Sequence, residues 1–210
     1  MRRDLRIAVV AGGALAALAL LAIPGGGSAQ RVIPQIGVYV PVSDLGQIDG
    51  FDGAVDLGKK ESSRAYGLGI EWGGGGSIGL RGNIAYATPS EVPLAGMGCA
   101  SCSSRSSMFA LTGGVVLRPF RLFFIEPYFV AGTGVKRYDF SSTDFEAGFD
   151  FVVDDRTERT YQFAVGGELG LGFLSGQVEI SDYVSRYRPV GFEEQRRHDF
   201  IVSIGLGFGS

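Results

Sequence analysis

Eight stretches of this chain alternate large apolar residues with small or polar ones, and a period of two belongs to strands rather than helices. Five of them are clear. Tyr66, Leu68, Ile70 and Trp72 are separated by Gly67, Gly69 and Glu71. Ile78, Leu80, Ile84 and Tyr86 oppose Gly79, Arg81, Asn83 and Ala85, and Phe109, Leu111, Val115 and Leu117 oppose Ala110, Thr112, Gly114 and Arg118. Tyr161, Phe163, Val165, Leu169, Leu171 and Phe173 oppose Gln162, Ala164, Gly166, Glu168, Gly170 and Gly172. Phe200, Val202, Ile204, Leu206 and Phe208 oppose Asp199, Ser203, Gly205 and Gly207. Three weaker stretches run over Ile36–Val42, Ile125–Tyr138 and Gln177–Tyr187. In the second of these Glu126 and Lys136 share one parity against Ile125, Phe129 and Val135. In the third Asp182 lands among the apolar positions, which predicts a bulge there.

What lies opposite the apolar face decides which side is inside. A soluble sandwich would carry lysine, threonine and glutamate there, facing water. Here the other face is mostly glycine, alanine and serine, in a chain with 34 glycines among 210 residues against a usual share of ~7%. Those glycines keep no three-residue period and prolines number only 8, so collagen is excluded. With 45% hydrophobic residues the chain is not disordered, and each interior glycine would cost a helical bundle ~1 kcal/mol. Glu71, Arg81, Glu126, Lys136, Glu168, Glu179 and Asp199 are the charges scattered on that small-residue face. Small side chains with a few opposite charges suit the cramped interior of a narrow closed barrel whose apolar side meets lipid. A lipocalin-like inversion would crowd eight apolar faces into one interior and show glycine to water. The fold class expected is all-β: an eight-stranded antiparallel up-and-down transmembrane barrel over residues 30–210.

The connections alternate in the same sense. Long segments, 44–63, 89–106, 139–158 and 188–197, follow the odd strands, and short ones, 73–76, 119–123 and 174–176, follow the even strands. Long loops on one rim with tight turns and both termini on the other is the outer-membrane arrangement. Aromatics at the strand ends form two girdles, with Trp72, Tyr86, Tyr128, Tyr161, Phe173 and Phe208 as membrane-interface candidates.

Before the first strand, Arg2, Arg3 and Arg6 precede an uncharged apolar run from Ile7 to Ile23 and a small-residue exit at Gly27-Ser28-Ala29. These are the parts of a signal peptide over residues 1–29, read by the Sec pathway. Its loss removes three arginines and one aspartate from 19 basic and 22 acidic residues, leaving 16 against 21, a net −5 with no basic footprint for nucleic acid.

Few residues carry chemistry. Cys99 and Cys102 sit in the second long loop and lack the further ligands a metal would need. In an exported chain they read as a local disulfide, with free or lipid-modified thiols as alternatives. The single histidine, His198, lies at the rim of the last strand as an interfacial polar residue. The acidic first and third loops, including Asp44, Asp56, Asp150 and Glu158, lack calcium-loop spacing and read as solvated. No catalytic residue, metal or cofactor is expected.

Pro127-Tyr128-Phe129-Val130-Ala131-Gly132-Thr133-Gly134, Gly167-Glu168-Leu169-Gly170-Leu171-Gly172-Phe173 and the closing Phe200–Phe208 strand resemble pieces of the small eight-stranded outer-membrane barrels of Gram-negative bacteria, the OmpA-, OmpX- and OmpW-like group. The resemblance covers residues 30–210 and implies outer-membrane localisation among lipid and lipopolysaccharide. It also implies insertion by the barrel-assembly machinery, which would read Phe200, Val202, Ile204, Leu206 and Phe208, although here Gly209 and Ser210 follow the final aromatic. A monomer with a structural or surface-interaction role is expected, its lumen filled by paired charges; the alternative is a narrow channel or hydrophobic-solute conduit of the OmpW-like kind.

Overall fold

The computed structural model describes residues 30–43, 45–50, 53–73, 76–95, 102–141, 156–171, 173–187 and 195–209. Residues 1–29 and Cys99 lie outside that set, and with them the signal-peptide and disulfide expectations. Among the described residues are the strands β1 (Gln30–Pro41), β2 (Gly46–Gly50), β3 (Gly53–Leu57), β4 (Ser63–Trp72), β5 (Ile78–Ala95), β6 (Cys102–Leu117), β7 (Ile125–Ser141), β8 (Arg156–Leu171), β9 (Leu174–Tyr187) and β10 (Gln195–Gly209).

Eight of these close a ring. β1 pairs with β4 on one side and β10 on the other, and antiparallel pairings run on through β5, β6, β7, β8 and β9. Closure leaves the barrel without an edge strand. The remaining two, β2 and β3, form a hairpin within the first long connection. It hangs from the upper end of β5 through Asp56↔Ala95 and Leu57↔Leu94.

The alternation of the sequence is the alternation of the wall. Outward residues are widely exposed: Leu80 58%, Phe129 50%, Phe163 54%, Val178 56% and Ile204 60%. An apolar surface of this extent on a closed barrel is a lipid-facing belt. Crossing a membrane takes a tilted strand about 9–11 residues. β5, β6, β7 and β8 have 18, 16, 17 and 16, so they continue past the membrane on the long-loop side.

Asp182 causes no bulge. β9 pairs without interruption on both sides, with Asp182 opposite Phe163 and Phe200. The carboxylate instead stays on the outward face, where its Oδ2 lies 2.8 Å from Nδ1 of His198, one strand away. The register shift that does occur is in β5, between Ala87 and Ser90 opposite β6.

Inward glycines make room. A Cβ on Gly166 would stand 2.3 Å from Cζ of Tyr128, and one on Gly207 would stand 2.4 Å from Oγ of Ser175 and 3.2 Å from Cδ of Arg31. One further residue marks the wall. Pro34 has no N–H to donate, and the β1–β10 ladder passes from Val32↔Phe208 to Gln35↔Gly205 with no pairing between.

Candidate functional site in the barrel lumen

Inward side chains fill the barrel in tiers. Nearest the short turns, Glu71 gathers three arginines. Nη2 of Arg31 donates to Oε2 at 2.9 Å, Nη2 of Arg118 to Oε2 at 2.5 Å, and Nε of Arg81 to Oε1 at 2.7 Å. Arg31 also reaches Glu168, and Arg81 crosses the lumen to Glu179 on β9. Arg31, Arg81 and Arg118 against Glu71, Glu168 and Glu179 balance to zero. Glu179 is further held by Oη of Tyr128 at 2.8 Å and Oγ of Ser181 at 2.6 Å.

Neutral amides and hydroxyls follow. Oε1 of Gln162 accepts from Nδ2 of Asn83 at 3.1 Å and from Oγ1 of Thr112 at 2.6 Å. Above them Asp199 accepts from Nζ of Lys136 and Oη of Tyr39, each at 2.5 Å, and from Oη of Tyr138. At the rim Oε1 of Glu158 accepts from Nη1 of Arg197 at 3.2 Å and its Oε2 from Oγ of Ser185 at 2.6 Å. The opposite wall of this upper half is small and apolar: Ala65, Ala85, Ala87, Met108 and Ala110 are all buried there. Arg81, Tyr39, Tyr128, Tyr138 and Lys136, all on the inward parity of their strands, are at most 2% exposed.

Lys60, in the segment between β3 and β4, breaks the balance. Its ammonium is buried, lies 4.6 Å from the centre of the Tyr39 ring, and has no hydrogen-bond partner among the described residues. Desolvation pushes its pKa down to about 8, against the pull of Asp199. The folded value lies below the unfolded one, so the unfolded chain binds the extra proton between about pH 8 and pH 10.5 and stability rises with pH there. Lys60→Met should therefore stabilise the barrel at pH 7 by about 1 kcal/mol or more. Urea unfolding at several pH values would check this: the gap between variant and wild type should narrow above pH 8. A less stable variant with an unchanged gap would show that the ammonium is not penalised.

No family model and no curated protein matches the chain. Solved structures do. Neisserial surface protein A (NspA) superposes with a TM-score of 0.55 at 9% identity, covering 87% of this chain and 98% of its own. OprG of Pseudomonas aeruginosa gives 0.52 at 15%, covering 88% and 98%, and Ail, the attachment invasion locus protein of Yersinia pestis, gives 0.51 at 13%, covering 88% and 99%. The chain is a small eight-stranded barrel of the outer-membrane type.

Within this barrel, Glu71, Arg81, Lys136, Glu168, Glu179 and Asp199 all point into the lumen and all enter the ion pairs just described. Glu126 does not: it shares their parity but sits half-buried at the turn end, with no ion pair among the described residues. Of the interface aromatics, Tyr86, Tyr161, Phe173 and Phe208 are 38%, 50%, 77% and 45% exposed, and Trp72 is half-buried. Tyr128 is a correction. It is fully buried, because it shares the inward parity of Val130, and it packs beneath the Arg81 guanidinium at 4.9 Å. Tyr138, at the other end of the same strand, is inside for the same reason. Glu158, expected in a solvated loop, is 7% exposed because β8 begins at Arg156. On β10, Val202, Ile204, Leu206 and Phe208 face outward, and Phe200 is half-buried beside His198. The alternation puts Arg118 and Tyr39 on the inward face without marking either as part of a charge network, and Arg31 and Arg197 lie on the same parity just beyond the alternating stretches of β1 and β10. Among the described residues no three of His, Cys, Asp and Glu stand close enough to hold a metal ion.

Proposed function

We propose that this outer-membrane barrel works as a closed anchor that presents its long-loop rim outside the cell, rather than as an open pore. The observation that supports this is the lowest tier: Arg81 reaches from β5 to Glu179 on β9, with Glu71, Arg31 and Arg118 closing the space beside it. A path for ions would have to break charge pairs whose separation is costly. Export through the Sec pathway after loss of residues 1–29, insertion by the barrel-assembly machinery through β10, contact with outer-leaflet lipid and a monomeric state belong to the same proposal. Refolded protein in planar bilayers should stay silent across voltages and salts. Discrete, reproducible conductance steps would refute the closed anchor.

The alanine-lined upper wall favours a second reading, a conduit for a small hydrophobic solute. Faster entry of an uncharged apolar fluorophore into lipopolysaccharide-bearing cells that express the barrel would favour it, and unchanged entry would remove it.

A further inference from the structure

Low on the lipid-facing wall, the belt of large apolar residues is interrupted. The outward position of β9 between Leu169 of β8 and Leu206 of β10 is Gly176, paired directly with both. Diagonal to it on β8, the outward position opposite Val178 is Gly167. Pro34 of β1 stands next in line beyond Leu206, where the β1–β10 ladder passes from Val32↔Phe208 to Gln35↔Gly205. Together they leave an open groove of about 570 Å³ across β8, β9, β10 and β1. Its sides are apolar and well exposed: Leu169 44%, Val178 56%, Ile204 60% and Ile36 51%.

Neither glycine is required by the backbone or by a neighbour. Neither has a positive φ. Beyond its chain neighbours, a Cβ on Gly176 would meet no heavy atom within 4 Å, and one on Gly167 only Cγ2 of Ile125 at 3.8 Å. The inward glycines differ, since a Cβ on Gly166 would strike Tyr128. Glycine inside a strand weakens it, and often marks a place where a ligand approaches the backbone closely.

Continuity with the belt says what approaches. The groove opens onto the lipid-facing surface, so hydrocarbon fills it, and a void there would forfeit dispersion contacts. Its volume lies within the range of ligand clefts, about 300–1,000 Å³. A second barrel would offer a convex wall, which touches along a line, whereas a flexible chain follows a concave floor. The height names the leaflet. Gly167, Gly176 and Leu206 lie close to the strand ends at Leu171, Leu174 and Gly209, on the short-turn side, which is periplasmic.

We propose that the groove floored by Gly167, Gly176 and Pro34 is a binding site for one acyl chain of a periplasmic-leaflet phospholipid. This rests on the outer-membrane reading above and adds a flank, a leaflet and a lipid class to it. The chain lies beside the ladder gap at Pro34, so the bound lipid packs the seam where β1 meets β10.

The test uses the barrel refolded into nanodiscs of phosphatidylethanolamine and phosphatidylglycerol. Phospholipid that stays with the protein on transfer to mild detergent is counted by native mass spectrometry. Wild type should retain one, and G167L/G176L, whose floor is filled by apolar side chains, should retain at least about tenfold less. G113L should match wild type: its Cβ also meets open space, but on β6, away from the groove. A second measurement needs no variant and decides the matter if G167L/G176L fails to fold. A phospholipid with a photoreactive acyl chain should label β8, β9, β10 and β1 more than the rest of the belt. Equal retention by G167L/G176L, an equal loss in G113L, or labelling spread evenly round the barrel each overturns the proposal. Wild-type dimers that G167L/G176L converts to monomers, with no phospholipid retained, overturn it in favour of a second copy. If wild type never enters the discs, as read by heat-modifiable gel mobility, the membrane reading fails. Insertion without groove-dependent retention sinks the lipid site alone.

Discussion

Glu71→Gln should cost the barrel about 3–5 kcal/mol, the usual penalty for removing one partner from a buried charge cluster. The reason is the number of arginines that depend on this carboxylate. Arg31, Arg81 and Arg118 all donate to it, and the side chains of Arg81 and Arg118 are 0% and 2% exposed. Glutamine keeps the shape and one acceptor oxygen but removes the charge, leaving three cations to share Glu168 and Glu179. Urea unfolding of the refolded barrel would measure the loss. Glu71→Gln combined with Arg118→Gln should recover part of it, since the excess positive charge is then gone. A loss below about 0.5 kcal/mol would place the cluster among exposed pairs, which contribute little, and would mean a water-filled lumen.

Asp199→Asn should do comparable damage at the other end of the lumen. Lys136 loses its counter-charge, Tyr39 and Tyr138 are left with one acceptor oxygen in place of two, and Lys60 loses the Asp199 charge that offsets its burial. A drop of about 3–5 kcal/mol is expected. Asp199→Asn with Lys136→Met should return most of that drop, because an apolar stem then replaces the orphaned ammonium. Asp139→Asn is the control: its pair with Arg137 is 46–49% exposed, so its loss should cost less than about 1 kcal/mol. If D199N and D139N were equally harmless, the upper tier would be a solvated vestibule.

The barrel was legible because a period of two survives any strand tilt, and because its inward face is too small-sided to be a soluble surface. The parity that placed Glu71, Arg81 and Lys136 needed no knowledge of contacts. The same parity, carried one step further in β7, puts Tyr128 and Tyr138 inside beside Lys136. Tyr128 reads as a girdle residue by position alone, because an aromatic near a strand end suits both the membrane interface and the lumen, and only the parity separates the two. Strand ends were the harder part. Glu158 and Arg197 read as loop residues because β8 and β10 rise past the membrane, where neither face must be apolar and the alternation fades. Partner choice could not be read at all: Arg81 joining Glu179 across the lumen depends on barrel diameter and stagger, which no local pattern carries.

Arg31 and Tyr39 lie on the first barrel strand, and they reach Glu168 and Asp199, 137 and 160 positions further along the chain. These ties can form only when the two ends of the sheet meet, so ring closure and charge neutralisation arrive as one event. A sheet caught open would expose part-neutralised arginines along its free edge to hydrocarbon. Beside Pro34 the β1–β10 ladder carries no paired residues between Val32↔Phe208 and Gln35↔Gly205, and the interior ties of Arg31 and Tyr39 lie on either side of that gap. Closure of this barrel is thus a latch thrown from the inside: slow to set, because it waits for the last strand, and slow to release once set.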